Sequence, residues 1–269
     1  MSTDPFDTAL TVARAALAEP PAGLLTDLDG TLAPIVSDPA AVRLAPGAAE
    51  ALIALAGRLA VVGVVTGRAA LDARRITDLP ELLVAGNHGI EWLAPGATAP
   101  EVAPHLADVP AALDRLLAAV PALPGVSIDD KALSATVHYR NAADPAAARD
   151  AILGALRDRI EGGGAASSGV ELREGRMSVE LRPRDAGDKG SAVTAVVERY
   201  ALRGLVVLGD DLTDLDMFRA AIALREAGRL RAAVIAVGGD GEVPPQVAEA
   251  ADALVRGPDE VVRLLSALA

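Results

Sequence analysis

The stretch GLLTDLDGT (23–31) decides the fold. A short apolar run with no polar alternation ends in Asp27-Leu28-Asp29-Gly30, the turn chemistry found where a buried strand stops. A strand without alternation is covered on both faces, which places it in a parallel sheet with helices on either side. Four further runs have the same form: LAVVGVVTGR (59–68), LLVAGNHG (82–89), GLVVLGDD (204–211) and LRAAVIAVGG (230–239). Helical patterns separate them at 6–18, 48–58, 70–77, 189–202 and 215–227, and two more helices close the chain. Strands alternating with helices predict an α/β fold with a doubly wound, Rossmann-like parallel sheet.

The rhythm changes in the middle. VPAALDRLLAAV (109–120) reads as a helix and VSIDDKALSATVHYR (126–140) as two strands. A helix over 144–160 and a second hairpin over 169–183 follow, with GGGAASSG (162–169) as a loop. The expectation is a core made of 1–105 and 184–269, with an α+β unit (αββαββ) inserted at 106–183.

Composition narrows the chemistry. The 269 residues are 51% hydrophobic but only 2% aromatic, so the core is aliphatic. A net charge of -12 argues against nucleic acid, whose binding rests on basic patches. With no cysteine, thiolate catalysis and cysteine-based metal sites are excluded. No apolar run approaches the roughly 20 residues of a membrane span, and the acidic N-terminus is unlike a signal peptide. The expectation is no membrane partner and a cytoplasmic protein.

Four signals fall at strand ends or helix starts, where ligands of such sheets bind. Asp27 and Asp29, two apart at the end of the first strand, can act as nucleophile and as general acid/base. The second role needs Asp29 to hold a proton part of the time, which an enclosed site beside another carboxylate would favour. Thr66-Gly67-Arg68 ends the second strand with a hydroxyl and amides suited to a phosphate oxygen. Lys189 opens a helix and can hold a carboxylate and a phosphate together. Asp210, Asp211 and Asp214 crowd a strand end, which favours a bound hard cation such as Mg2+.

In order and placement these signals resemble the haloacid dehalogenase-like phosphatase superfamily. That resemblance implies Asp27 as nucleophile, Asp29 as acid/base, and Thr66 and Lys189 as phosphate binders. It implies Mg2+ held by Asp27, Asp29 (through its carbonyl) and Asp210, supported by Asp211 and Asp214. GNHGIE (86–91), KALS (131–134) running to HYR (138–140), and ELRP (180–183) resemble the trehalose-6-phosphate phosphatase family more narrowly. This likeness implies an inserted cap that sets specificity for a phosphorylated disaccharide, with Lys131, Arg140, Arg176 and Glu180 on the distal sugar and Gly67 and Arg68 also contacting substrate. Arg176 stands where that family commonly carries lysine. The competing expectations are another phosphosugar or a trehalose-like pseudodisaccharide phosphate, a phosphosugar mutase, and a non-catalytic regulatory module.

Overall fold

A computed structural model describes residues 4–36, 38–161, 169–175, 177–184, 186–238 and 243–269. The chain divides into two compact units, Met1–Glu101 with Gly187–Ala269, and Val102–Ala186. Most of the loop expected over 162–169 lies outside the described residues, and so does Arg176.

The first segment runs α1 (Pro5–Leu17), β1 (Ala22–Thr26), α2 (Ala48–Ala56), β2 (Val61–Val65), α3 (Ala70–Thr77), β3 (Leu83–Gly86), β4 (Glu91–Leu93) and β5 (Glu101–Val102). The second unit holds α4 (Val109–Leu117), β6 (Ser127–Asp130), β7 (Ala135–His138), α5 (Pro145–Glu161), β8 (Val170–Gly175) and β9 (Ser178–Pro183). The chain then returns through α6 (Lys189–Arg199), β10 (Gly204–Gly209), α7 (Leu215–Glu226), β11 (Arg231–Gly238), α8 (Pro245–Ala250), β12 (Ala253–Arg256) and α9 (Gly257–Leu268).

The first unit is built on one sheet in the order β12-β11-β10-β1-β2-β3-β4-β5. Its strands are parallel from β12 to β3, and β4 returns antiparallel to β3. Every residue of β1, β2 and β10 is buried. The reason is visible residue by residue. Leu24, Val62, Val64, Val206 and Leu208 pack among α1, α2, α3 and α9, while Leu25, Val61, Val65, Leu205 and Val207 pack among α6, α7 and α8. Two covered faces need apolar side chains at both parities, hence unbroken aliphatic runs. This is the doubly wound sheet expected. Two edge features depart from the expectation: β4 with β5, and β12 inside a stretch that reads as helical.

In the second unit four antiparallel strands lie in the order β6-β7-β9-β8. Ala135, Val137, Val179 and Leu181 form its buried face, and α4 and α5 lie against β8 and β9. Among the described residues no helix is long and apolar enough to cross a membrane.

Candidate active site

In the sheet order β1 and β10 are neighbours although most of the chain separates them, so connections leave this point in opposite directions. Such a switch point opens a crevice at the strands' carboxyl ends. Asp27 sits there, its backbone still tied to β10 through Asp27 N–H donating to Leu208 O at 3.0 Å. Gly30 follows at φ +85, where a Cβ would lie 2.1 Å from Asp210 Oδ2. Only glycine lets the β1 turn and the Asp210 carboxylate approach this closely.

After β10 the chain folds into a 3₁₀ turn, Leu212–Asp214, capped reciprocally by Asp211 and Asp214. Asp214 Oδ2 accepts the amides of Asp210 and Asp211 at 2.9 and 3.1 Å, so it organises the loop from inside. Asp188 caps α6 in a box with Ser191, which fixes Lys189 at the first helical position. Lys189 Nζ then donates to Asp27 Oδ1 at 2.9 Å and to Asp214 Oδ1 at 2.7 Å. All three side chains are buried.

Three acids against one ammonium leave the cluster short of positive charge. Burial opposes the Lys189 charge, but Asp27 and Asp214 outweigh it and raise its pKa. Asp27 is pushed up to about 8, chiefly by burial, with Lys189 pulling it down and Asp214 and Asp210 adding to the rise. Burial, then Asp214, lifts Asp210 to about 7, against the hydroxyl of Thr31, which donates to Asp210 Oδ1 at 2.9 Å.

The turn after β2 is buttressed by a left-handed corner after β3. Asn87 (φ 48) and His88 (φ 59) donate their amides to Arg68 O and Thr66 O. The imidazole lies so close to Gly67 that a Cβ there would come within 2.7 Å of it. Buried Glu91 accepts from Asn87 Nδ2 at 2.6 Å and from Ala70 N–H at 2.8 Å, joining that corner to the start of α3. The Thr66 hydroxyl accepts the Arg68 amide at 3.2 Å and keeps its own proton to donate. Arg68 does not point out as a bare phosphate ligand. Its Nε and Nη2 grip Asp29 at 2.7 and 2.9 Å, and its Nη1 donates to Asp72 at 2.8 Å. The Asp29 carboxylate is 34% exposed, and its neighbour is this guanidinium.

In the second unit, register sets Asp129, Thr136, Glu180 and Arg173 in one row across the sheet. Glu180 thus occupies the face opposite the buried one. Lys131 closes the β6–β7 hairpin, its amide donating to Ser134 O, and its ammonium lies 3.6 Å from Asp129. Arg140 follows the far end of β7, exposed. Counting from Ser134, six residues at about 3.4 Å each put Arg140 roughly 20 Å along the hairpin from Lys131. The sequence patterns single out neither Asp72 nor Thr31 and assign Asn87 and Glu91 no role. Asp72 stands in the first turn of α3, four residues after Arg68, which lies in the bend before that helix. Thr31 gives no local signal, because its partner is 179 positions away.

The trehalose-phosphatase family model matches residues 25–242, most of the chain, including the carboxyl ends of β1, β2, β3 and β10. The chain belongs to the trehalose-phosphatase family. An uncharacterized glycosyl hydrolase of Mycobacterium tuberculosis is 39% identical over 204 residues, covering 72% of this chain and 15% of that protein. A trehalose-phosphate phosphatase of Mycobacterium bovis is 35% identical over 271 residues, covering 92% of this chain and 64% of that one. The chain thus spans less than two thirds of these relatives' length. The structure of Aspergillus fumigatus trehalose-6-phosphate phosphatase superposes with a TM-score of 0.64 at 27% identity, covering 98% and 97% of the two chains.

The family implies a divalent cation, and the residues fit one. Asp27, Asp210 and Asp214 offer carboxylate oxygens within 4.8 Å of one another. Both oxygens of Asp214 already serve Lys189 and two amides, whereas Asp27 and Asp210 each have one carboxylate oxygen outside their hydrogen bonds to Lys189 and Thr31. Hard oxygen donors carrying uncompensated charge suit a hard cation. The same charge makes stability depend on pH. The folded pKa values of Asp27 and Asp210 lie above the ordinary aspartate value of 3.8. The unfolded chain therefore binds fewer protons between about pH 4 and 8, and cation-free protein loses stability as pH rises through that window. Millimolar divalent cation should raise Tm by several degrees at about pH 8 and far less at about pH 5, where it competes with protons. Scanning calorimetry in chelator and in metal reads the difference, and an equal shift at both pH values would contradict the assignment.

Proposed function

We propose that this chain hydrolyses trehalose 6-phosphate to trehalose and inorganic phosphate, through an aspartyl-phosphate on Asp27. The observation that carries this reading is the buried Asp27–Lys189–Asp214 contact at the switch point of a trehalose-phosphatase family sheet. An Asp27 oxygen attacks phosphorus as the ester P–O bond breaks, and the departing alkoxide takes a proton from Asp29. Water then attacks the acyl phosphate, giving its proton to Asp29 and releasing phosphate, which restores the Asp27 carboxylate. Lys189 offsets the repulsion between Asp27 and the phosphate dianion, and the Thr66 hydroxyl donates to a phosphate oxygen. Mg2+, held by Asp27, the Asp29 carbonyl and Asp210, supplies charge neutralisation at the phosphate when bound. A sugar phosphate carries a charge that keeps it inside the cell, so the cytoplasm is part of the proposal.

Phosphate release from a panel of sugar phosphates, with and without Mg2+, tests the reading. Trehalose 6-phosphate should lead the panel and need no bisphosphate activator. A preference for another ester moves the substrate within the same chemistry. Dependence on a bisphosphate favours the mutase, and silence across the panel favours a regulatory module.

The inserted unit is proposed to read the distal sugar. Glu180, in the middle of its polar row, and Lys131 at the hairpin end are the residues on which this rests, with Arg140 and Arg176 as further candidates. Losing one charge-assisted hydrogen bond costs about 1.5–3 kcal/mol, roughly ten- to a hundredfold in kcat/KM. Glu180→Ala or Lys131→Ala should lower kcat/KM for trehalose 6-phosphate by that factor while p-nitrophenyl phosphate, which has no distal sugar, is nearly unaffected. Equal losses on both esters would mean that these side chains support the unit's fold and do not read the sugar.

A further inference from the structure

The guanidinium of Arg68 is almost fully committed. Two of its N–H groups go to the two oxygens of Asp29, at 2.7 and 2.9 Å, and Nη1 is divided between Asp72 at 2.8 Å and Pro39 O at 3.2 Å. With five N–H groups in a planar fork, one remains for anything else. Asp72 in turn is held from its other oxygen by Arg75, at 2.7 Å. The backbone of Arg68 is pinned as well, because its carbonyl accepts the Asn87 amide at 2.7 Å. The Arg68 side chain is only 15% exposed. A surface ion pair drifts among orientations, whereas a bidentate contact anchored from behind fixes the plane of its partner carboxylate.

We propose that Arg68 and Asp72 are positioning residues for the reaction: Asp72 holds Arg68, and Arg68 sets the orientation of the Asp29 carboxyl group. This rests on the reading of Asp29 as acid/base given above, and it changes the part expected of Arg68 from substrate contact to orientation of another side chain. The dependent step is the one in which Asp27 bonds to phosphorus, the ester P–O bond breaks and Asp29, with one oxygen kept on Arg68 and the other released from it to carry a proton, passes that proton to the leaving oxygen. A sugar alkoxide needs that proton. p-Nitrophenolate is a far weaker base and leaves without it. Loss of orientation should therefore be felt according to the leaving group.

Single-turnover cleavage of trehalose 6-phosphate and p-nitrophenyl phosphate by Arg68→Met, Arg68→Lys and Asp72→Asn tests this in the Mg2+-loaded protein. General acids contribute about 10²–10⁴-fold, so Arg68→Met should slow sugar ester cleavage by roughly a hundredfold, at least about tenfold more than the nitrophenyl ester, with KM changed by less than about threefold. Arg68→Lys keeps the charge but loses the fork and should be impaired alike. The near-isosteric Asp72→Asn should show the same leaving-group bias at smaller size, and it serves if Arg68→Met does not fold. Equal losses on both esters, a raised KM with kcat intact, or full activity in Arg68→Lys would overturn the proposal. Asp29→Asn is the control for the underlying reading: if it shows no leaving-group bias, the acid/base assignment fails with it. If wild-type protein cleaves neither ester, the phosphatase reading itself is at fault.

Discussion

On the proposed reading, Asp27→Asn protein should still bind trehalose 6-phosphate but turn it over at close to the uncatalysed rate. The amide oxygen cannot displace the ester oxygen at phosphorus, and no other carboxylate in the cluster can replace it. Asp214 is locked on Lys189 and two amides, and Asp210 on Thr31. Losses for a nucleophile that acts as part of a unit run on the order of 10⁴–10⁶-fold, far beyond the effect expected of any cap variant. The fold should survive, because asparagine keeps the volume of a residue that is 6% exposed and can still accept from Lys189. It should even gain. Asp27 is pushed up to about 8 by burial, so a neutral side chain removes a charge that the metal-free site disfavours. Phosphate release, calorimetric substrate binding and Tm in chelator measure the three outcomes. Turnover retained in the Asn variant would sink the covalent mechanism, whatever the substrate.

Much of this site is legible in the sequence because parallel strands announce themselves twice, by unbroken aliphatic runs and by polar turn chemistry at their carboxyl ends. Asp27, Thr66 and Asp210 follow β1, β2 and β10 directly, so locating the strands is enough to bring them together. Lys189 follows from the Asp188–Ser191 cap, which is also local. Other features depend on partners that local sequence does not name. Asp214 reads as an acid at a helix start, yet one oxygen binds an ammonium and the other two amides. Asp29 reads as a second active-site acid, but its neighbour is Arg68, 39 positions on. The four residues of β12 alternate buried and exposed in a helix-rich stretch, too short for a period to be heard. In the inserted unit the hairpins are legible and their register is not. Register alone puts Glu180 beside Thr136 and Arg173.

Lys189→Met should produce the largest loss of stability of any single change in the first unit. The ammonium is buried and shared by two buried carboxylates, at 2.9 and 2.7 Å. Methionine fills similar space but strands both acids without a counter-charge, and removing one partner of a buried pair costs about 3–5 kcal/mol. The sign of the pH dependence separates this cause from poor packing. Asp27 already lies above the ordinary value of 3.8, at about 8, with Lys189 restraining the rise. Without that restraint the folded pKa rises further, so folded protein binds protons that unfolded protein has released. The deficit in Tm relative to wild type should thus be nearly constant between about pH 5 and 7 and widen as pH rises through about 8 and on towards about 9. A divalent cation, drawn by the same uncompensated charge, should recover part of the loss at high pH, while phosphate release stays absent because the dianion now meets Asp27 without the ammonium between them. Thermal scans of both proteins across this pH range, in chelator and in Mg2+, provide the measurement. A deficit that is the same at every pH and indifferent to cation would mean that Lys189 serves the core by packing alone.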